Sequence, residues 1–264
     1  MHGAPLRVAV QGNVAALQAT ATVAIFGSRA ASTSSMKAAG ALAEALAGLG
    51  ITVVSGGALG IDGAAHRGAL GHTVVVLGSG ITHWYPARHV DLFNQIVTAG
   101  GAVISTFDDD ASPVRSYFVS RNRLIAALAD VVVVVEAQLR SGSLSTARYG
   151  RELGRRVLAM PGSPGCDSLL ASGAAHVAES VDDVVAALAG NVRALAVPEL
   201  PNEQCVRVVA ALNDEPCDES ALAHRAGLSL SQALRALAQL DGTPHVVMLP
   251  GRRFIRPTSF SSAT

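Results

Sequence analysis

Lysine is almost missing from this 264-residue chain: Lys37 is the only one, so nearly all the positive charge is guanidinium. A guanidinium meets phosphate through a planar two-pronged fork and stacks on flat rings, which an ammonium cannot do. Cysteine is scarce as well. Cys166, Cys205 and Cys217 are odd in number and show no C-x-x-C spacing, which excludes a disulfide framework and a zinc site of the usual kind. No apolar run approaches the ~20 residues of a membrane span, and Met1 to Val10 lacks the charged-then-apolar layout of a signal peptide. A cytoplasmic protein without membrane insertion, metal or cofactor is expected. Net charge is also lacking, since 20 basic and 20 acidic residues cancel.

What is present is uneven. Between Arg115 and Arg156 stand eight arginines against three acids, Asp130, Glu136 and Glu152. This local excess flanks both ends of one apolar run, Val131–Val135, with Arg121-Asn122-Arg123 before it and Ser141-Gly142-Ser143-Leu144-Ser145-Thr146-Ala147 after it. Phosphate-seeking groups at both ends of a core strand suggest a polyanion site.

Short β-branched runs recur at Thr22–Phe26, Thr52–Ser55, Thr73–Leu77, Ala102–Ser105, Val131–Val135 and Val157–Met160. They are apolar on both faces, as strands covered on both sides must be. Segments with helical apolar spacing lie between them, at Met36–Gly48, Ile61–Leu70, Leu92–Ala99 and Leu144–Gly154. The pattern predicts a doubly wound α/β domain with a mostly parallel sheet over residues 1–190. Leu6–Val10 adds one more strand whose place in the sheet is open.

Gly190, Pro198 and Pro201 mark residues 191–202 as a linker. Residues 203–257 then read as a small winged-helix domain: helices at Glu203–Leu212, Ser220–Ala226 and Ser229–Leu240, strands at Val246–Leu249 and Phe254–Arg256, and a turn at Gly251. Asp218 or Ser220 and Ser229 suit N-caps and Gly227 suits a helix end. Six arginines balance six acids here, which favours a protein-contact or accessory role over independent duplex reading. Residues 258–264 read as a disordered tail.

Three loops carry chemistry. Gly27-Ser28-Arg29 follows a strand, so its N–H groups and guanidinium can converge on a phosphate. Ser55-Gly56-Gly57, continuing to Gly60-Ile61-Asp62 and His66, permits close backbone approach to a ligand but fits neither the Walker loop nor the dinucleotide fingerprint. Asp62 reads first as a helix N-cap and second as an acid; His66 reads first as packed and hydrogen-bonded and second as a base. Gly78-Ser79-Gly80 with Trp84-Tyr85-Pro86 adds an aromatic turn at the same sheet edge, with Trp84 expected to pack. Phe118, three residues before Arg121, is placed in a loop, where it either stacks a base or fills the core.

In this order the motifs resemble the DNA-processing protein A family (DprA, also called Smf). The carrying residues are Val23 to Arg29, Ser55-Gly56-Gly57 with Gly60-Ile61-Asp62 and Ala65-His66, Gly80 through Tyr85-Pro86, Phe118 with Arg121-Asn122-Arg123, Val135-Glu136-Ala137, Ser141-Gly142-Ser143 with Thr146-Ala147, and Pro161-Gly162. The resemblance implies an extended Rossmann-like fold. It also implies a homodimer that binds single-stranded DNA, protects it and loads RecA recombinase during natural transformation. The DNA-binding residues it implies are Gly27, Ser28, Arg29, Ser55, Gly56, Gly57, Phe118, Arg121, Asn122, Arg123, Ser141, Gly142, Ser143 and Thr146. Four features depart from the family pattern: Ser105-Thr106 in place of Ser-Glu, Ser34-Ser35 in place of Tyr-Gly, Ser120 in place of the second basic residue that some relatives carry before Arg-Asn-Arg, and an Asp108-Asp109-Asp110 run expected to face away from the site. The family's amino-terminal helical module is expected to be absent.

A competing reading is a Rossmann-type nucleotide phosphoribohydrolase of the lysine-decarboxylase-like group, with Glu136 as its acid. The segment Ser141–Thr146 lacks the double glycine of that group's signature and the glutamate that follows its threonine.

Overall fold

The structure is a computed structural model, and it describes residues 7–139, 141–191, 200–213, 215–240, 246–249 and 253–255. Leu6, Arg140, the turn at Gly251, Arg256 and the tail 258–264 lie outside the described residues. The chain divides into two compact units, one of residues 1–166 and 177–193, the other of residues 167–176 and 194–264.

The strands are β1 (Ala9–Gly12), β2 (Thr22–Phe26), β3 (Thr52–Ser55), β4 (Thr73–Val76), β5 (Ala102–Ser105), β6 (Val131–Val134), β7 (Arg156–Ala159) and β8 (His176–Val177). They form one sheet in the order β1-β5-β4-β3-β2-β6-β7-β8. The ladders from β5 through β7 are parallel, while β1 pairs antiparallel with β5 at an edge, Ala9 opposite Ser105 and Gly12 opposite Ala102. This settles the position of the first strand. The α/β class with a mostly parallel sheet is as the apolar runs require.

The helices are α1 (Thr33–Gly48), α2 (Ile61–Gly68), α3 (Val90–Thr98), α4 (Arg115–Leu128), α5 (Ser143–Glu152), α6 (Pro164–Ala171) and α7 (Val181–Leu188). Alternate residues of the strands divide between two layers. Val23, Ile25, Val53, Val131 and Val133 pack with Leu42 and Leu46 of α1, Ile61 and Ala65 of α2 and Val184 of α7. Val75 and Val103 continue that face under Phe93 and Ile96 of α3. The opposite face carries α4 over β2, β3 and β4, and α5 over β6 and β7. Each fully buried Val or Ile contributes about 1.5–3 kcal/mol, which makes this two-sided core the main support of the sheet.

One helix departs from the sequence reading. Phe118 and Arg121-Asn122-Arg123 lie within α4, not in a loop. Its buried positions are Arg121, Ile125 and Ala126, so a charge stands in the middle of the apolar stripe. Val114 at its start makes no side-chain cap, and the usual helix signals are therefore weak.

In the second unit, α8 (Glu203–Ala211), α9 (Glu219–Ala226) and α10 (Leu230–Leu240) enclose a core of Cys205, Val208, Leu212, Leu222, Leu237, Leu240 and Phe254. Asn202 caps α8 and Asp218 caps α9, each through a side-chain oxygen that accepts an N–H. Gly227 ends α9 at φ +61°, which a side chain would disfavour. Ser229 accepts the N–H of Gln232, and the Gln232 side chain accepts the N–H of Ser229 in return. A short antiparallel pair, β9 (Val247–Leu249) with β10 (Arg253–Ile255), completes this unit.

Candidate functional site

The sheet order reverses at β2. The chain steps from β2 outward to β5 and then returns to place β6 on the other side of β2. In open parallel sheets the crevice beyond the carboxyl ends of two such strands is where ligands bind. Here a cavity of about 700 Å³ opens at that point, walled by the loops after β2 and β6 and by one face of α4.

Of the residues expected at the site, Gly27, Ser28, Arg29, Phe118, Arg121, Asn122, Ser141, Gly142, Ser143 and Thr146 line this cavity. They come from three separate stretches that the fold brings together. The Ser28 N–H donates to the Glu136 carbonyl (2.8 Å), and the Ser143 hydroxyl donates to the Gly27 carbonyl (2.8 Å), which pins the two strand-end loops to each other. Ser141-Gly142-Ser143 stands at the amino end of α5, where the helix dipole favours an anion, although the Ser143 N–H already donates to the Ser141 hydroxyl (3.1 Å) and those of Leu144 and Ser145 to the Ser141 and Gly142 carbonyls.

Ser55, Gly56, Gly57 and Arg123 do not line the cavity. Ser55 is buried, its hydroxyl donating to the Ile25 carbonyl across the sheet. The free space at Gly56 is filled by the Arg121 guanidinium, and that at Gly57 by the Phe93 ring and Val75. At both glycines the protein's own side chains take the space that a Cβ would need. Arg123 is exposed on the outer side of α4.

The structure adds Asp62, Arg115, Val119 and Ser145 to the wall. Arg115, Phe118, Val119 and Asn122 follow an i, i+3, i+4, i+7 stripe, a signal available once residues 115–128 are known to be helical. Asp62 is not the N-cap of α2, a position held by Gly60. Its carboxylate lies in the first turn and accepts the Ala58 N–H at 3.3 Å. Burial pushes the Asp62 carboxyl above its ordinary range, against the pull of Arg121, the Ala58 and Gly27 N–H groups and Arg29.

Arg121 is 4% exposed. It donates to the main-chain carbonyls of Gly56 and Val76, at the carboxyl ends of β3 and β4, and to the Asn122 side-chain oxygen at 3.2 Å. Asn122 passes the contact to Ser145 (3.2 Å), whose hydroxyl donates to the Gly142 carbonyl (2.6 Å). Burial brings the Arg121 pKa down to about 10, against the raising effect of Asp62, so it stays charged at neutral pH. Most of its donors are committed to the fold. Among the described residues, the exposed cations on the cavity are therefore Arg29 and Arg115.

Phe118 is half-buried over Gly78, with Tyr85 at 5.5 Å between ring centroids. The Arg29 guanidinium lies 5.4 Å and that of Arg121 5.9 Å from its centroid, within cation–π range. Trp84 is half-buried and meets Phe93 edge-on. Asp108, Asp109 and Asp110 are not on the cavity wall, and Asp109 pairs with Arg7 at 2.9 Å.

Glu136 is 8% exposed and accepts the Ser32 N–H at 3.0 Å. Burial acts to raise its pKa, but hydrogen bonds from Ser32, Ser35 and Ser28 outweigh it and hold the carboxyl below its ordinary range. It is not on the cavity wall.

His66 is fully buried. The Thr73 hydroxyl donates to the Val53 carbonyl (2.8 Å), so the 2.8 Å contact between His66 Nδ1 and Thr73 has the imidazole as donor. Its Nε2 has no hydrogen-bond partner among the described residues. Burial, reinforced by His89, Arg121 and Arg67, lowers its pKa to about 3. The unfolded chain takes up a proton at this histidine near pH 6.5, which the folded state refuses until far lower pH. The stability it contributes is thus complete above pH 6.5 and declines as pH falls, by up to about 1.4 kcal/mol per pH unit. In urea titrations between pH 7 and pH 5, wild type is expected to lose about 2 kcal/mol more than His66→Gln. Equal losses would assign the pH dependence to other groups.

Among the described residues no cluster of His, Cys, Asp and Glu is placed to hold a metal ion, and no helix is long and apolar enough to cross a membrane.

A family model described as DNA recombination-mediator protein A matches residues 1–189. The chain is 36% identical over 261 residues to protein Smf of Escherichia coli (strain K12), covering 92% of this chain and 69% of that protein. It is 46% identical over 171 residues to the putative DNA processing protein DprA of Mycobacterium tuberculosis (strain ATCC 25618 / H37Rv), covering 61% of this chain and 43% of the relative. Among solved structures it is similar to DNA processing protein A from Helicobacter pylori, described for its single-stranded DNA binding mode. That match has a TM-score of 0.67 and 30% identity, covering 72% of this chain and 90% of the other. DprA from Streptococcus pneumoniae matches with a TM-score of 0.62 and 36% identity, over 68% of this chain and 65% of the other. The chain therefore spans less than half the length of the mycobacterial relative and about two thirds of the E. coli and pneumococcal ones.

Proposed function

Because the chain belongs to the DNA recombination-mediator protein A family, we propose that it is a cytoplasmic recombination mediator that holds single-stranded DNA at the cavity between β2 and β6. The observation that carries this is the pairing, at one crevice, of two exposed arginines with a half-buried aromatic ring and a helix amino terminus. Arg29 and Arg115 neutralise strand phosphates, the Gly142 N–H donates to a phosphate oxygen, and a base enters against Phe118. Arg121 acts behind them by fixing α4 to the sheet.

In this reading the protein works as a homodimer, protects incoming strands and loads RecA recombinase in natural transformation. The three helices and β9–β10 pair serve as a winged-helix domain with an accessory role. An enzyme acting through Glu136 is not favoured. That carboxyl is held unprotonated at neutral pH by hydrogen bonds to α1 and its entry loop, so it has no proton to donate.

Gel shifts with single- and double-stranded oligonucleotides across salt concentrations test the proposal. Wild type is expected to prefer the single strand. Arg29→Ala should weaken that binding about tenfold and flatten its log–log salt slope by about 0.7, one phosphate contact. Unchanged affinity in Arg29→Ala, or binding that ignores salt, overturns the assignment of the cavity.

A further inference from the structure

Arg123 stands outside the cavity, and its surroundings define a second surface. α4 and α5 lie side by side and run in the same direction. Asn122 meets Ser145 at the cavity end, and Arg155, just beyond α5, donates to the Ala127 carbonyl (3.0 Å) at the far end. Moving away from the cavity, the exposed arginines are Arg123, one position past Asn122, Arg148, one turn past Ser145, and Arg151, one turn further.

Glu152 is the only acid in the two helices, against five arginines. It reaches Arg148 at 3.6 Å, but both side chains are more than half exposed, and such a pair is weak enough to exchange for a phosphate. The Arg148 guanidinium lies 5.1 Å from the Tyr149 ring centroid, a contact that limits its freedom before any ligand arrives. The dipole of α5 accounts for an arginine in its last turn, Arg151, but not for Arg123 and Arg148 in mid-helix.

We propose that the outer face of the α4–α5 pair is a phosphate track that carries the single strand onward from the cavity. This rests on the cavity reading and gives it a direction. Ser145 to Arg151 spans about 9 Å of helix, and a stacked strand presents a phosphate about every 3.4 Å, so two phosphates can be met along this stretch. Arg123 faces the strand from α4 while Arg148 and Arg151 face it from α5. The track reads charge, because the Tyr149 ring on it is already engaged by the Arg148 guanidinium and the Asn122 amide by Ser145.

Fluorescence anisotropy on the full chain with thymidine oligonucleotides of about 5 and about 25 nucleotides separates track from cavity. The double variant R148Q/R151Q is expected to bind the short strand within twofold of wild type. On the long strand it should lose about tenfold, with a salt slope flatter by about 1.4 for two lost contacts. Substituting both by lysine should restore long-strand affinity, since a phosphate accepts a point charge. Glu152→Gln, which removes the opposing charge, should tighten the long strand and leave the short one alone. Equal loss on both lengths, or no loss on the long strand, overturns the track. Arg29→Ala reports separately: if it spares the short strand, the cavity reading fails while the length dependence of R148Q/R151Q still stands as measured.

Discussion

Arg121→Ala is expected to lower the stability of the first unit by about 3–5 kcal/mol, the usual result of removing one member of a buried charged group. The carbonyls of Gly56 and Val76 lose a donor in a place water does not reach, and each orphaned acceptor costs about 1–3 kcal/mol. Asp62, already pushed upward by burial, loses the largest of the influences that oppose that shift. The guanidinium also fills the space beside Gly56, so its removal opens a void under β3. A drop of about 10 °C in the melting temperature of this unit should follow. Arg121→Lys should recover little, because one ammonium cannot reproduce the fork that reaches two carbonyls and Asn122 at once. Arg29→Ala is the counterpart: an exposed change expected to stay within about 0.5 kcal/mol. Melting temperatures for the two variants within about 2 °C of each other would show that Arg121 does not hold α4 to the sheet.

This division of labour was only partly legible in the sequence. β2, β3, β5 and β6 could be placed from their β-branched runs because a sheet covered on both faces leaves no polar alternation to confuse the reading. The loops at Gly27–Arg29 and Ser141–Thr146 could be joined because both follow such runs, and the sheet order then brings their ends together. α4 was hidden for a physical reason. Its buried stripe is centred on Arg121, and a charge at a core position looks like a break in helical patterning. With α4 taken as a loop, Arg121 and Arg123 appear equivalent. On a helix, two residues apart is about 200° around the axis, so one points into the sheet and the other to solvent. The glycines after β3 are ambiguous for a different reason. A loop of small residues announces that something approaches the backbone closely, but not whether that is a ligand or, as at Gly56, a side chain from elsewhere in the fold.

Gly60 is the glycine on which the site geometry depends most, and Gly60→Ala is expected to cost about 3 kcal/mol or more, from backbone strain and overpacking together. Its φ of +78° and ψ of −125° belong to a region that side chains rarely adopt. A Cβ there would land on the Ser28 carbonyl and within 2.8 Å of the Arg29 carbonyl. That contact is close because the Ile61 N–H, the first of α2, donates to the Ser28 carbonyl at 3.2 Å, so the helix entry clamps the loop that presents Arg29. Relief of the clash must shift either α2, whose Ile61 and Ala65 are fully buried, or the Gly27–Arg29 loop, which Ser143 also holds. The loop has less packing to lose. The variant should therefore show both a lower melting temperature and weakened single-strand binding, even though Gly60 does not line the cavity. Gly142→Ala supplies the contrast. Its φ of −60° suits any residue and nothing lies within 4 Å of the added carbon, so its stability should stay within about 0.5 kcal/mol of wild type. If Gly60→Ala melts lower but binds the strand as wild type does, the strain has been absorbed by α2, and Arg29 is positioned by β6 and α5 rather than by the helix entry.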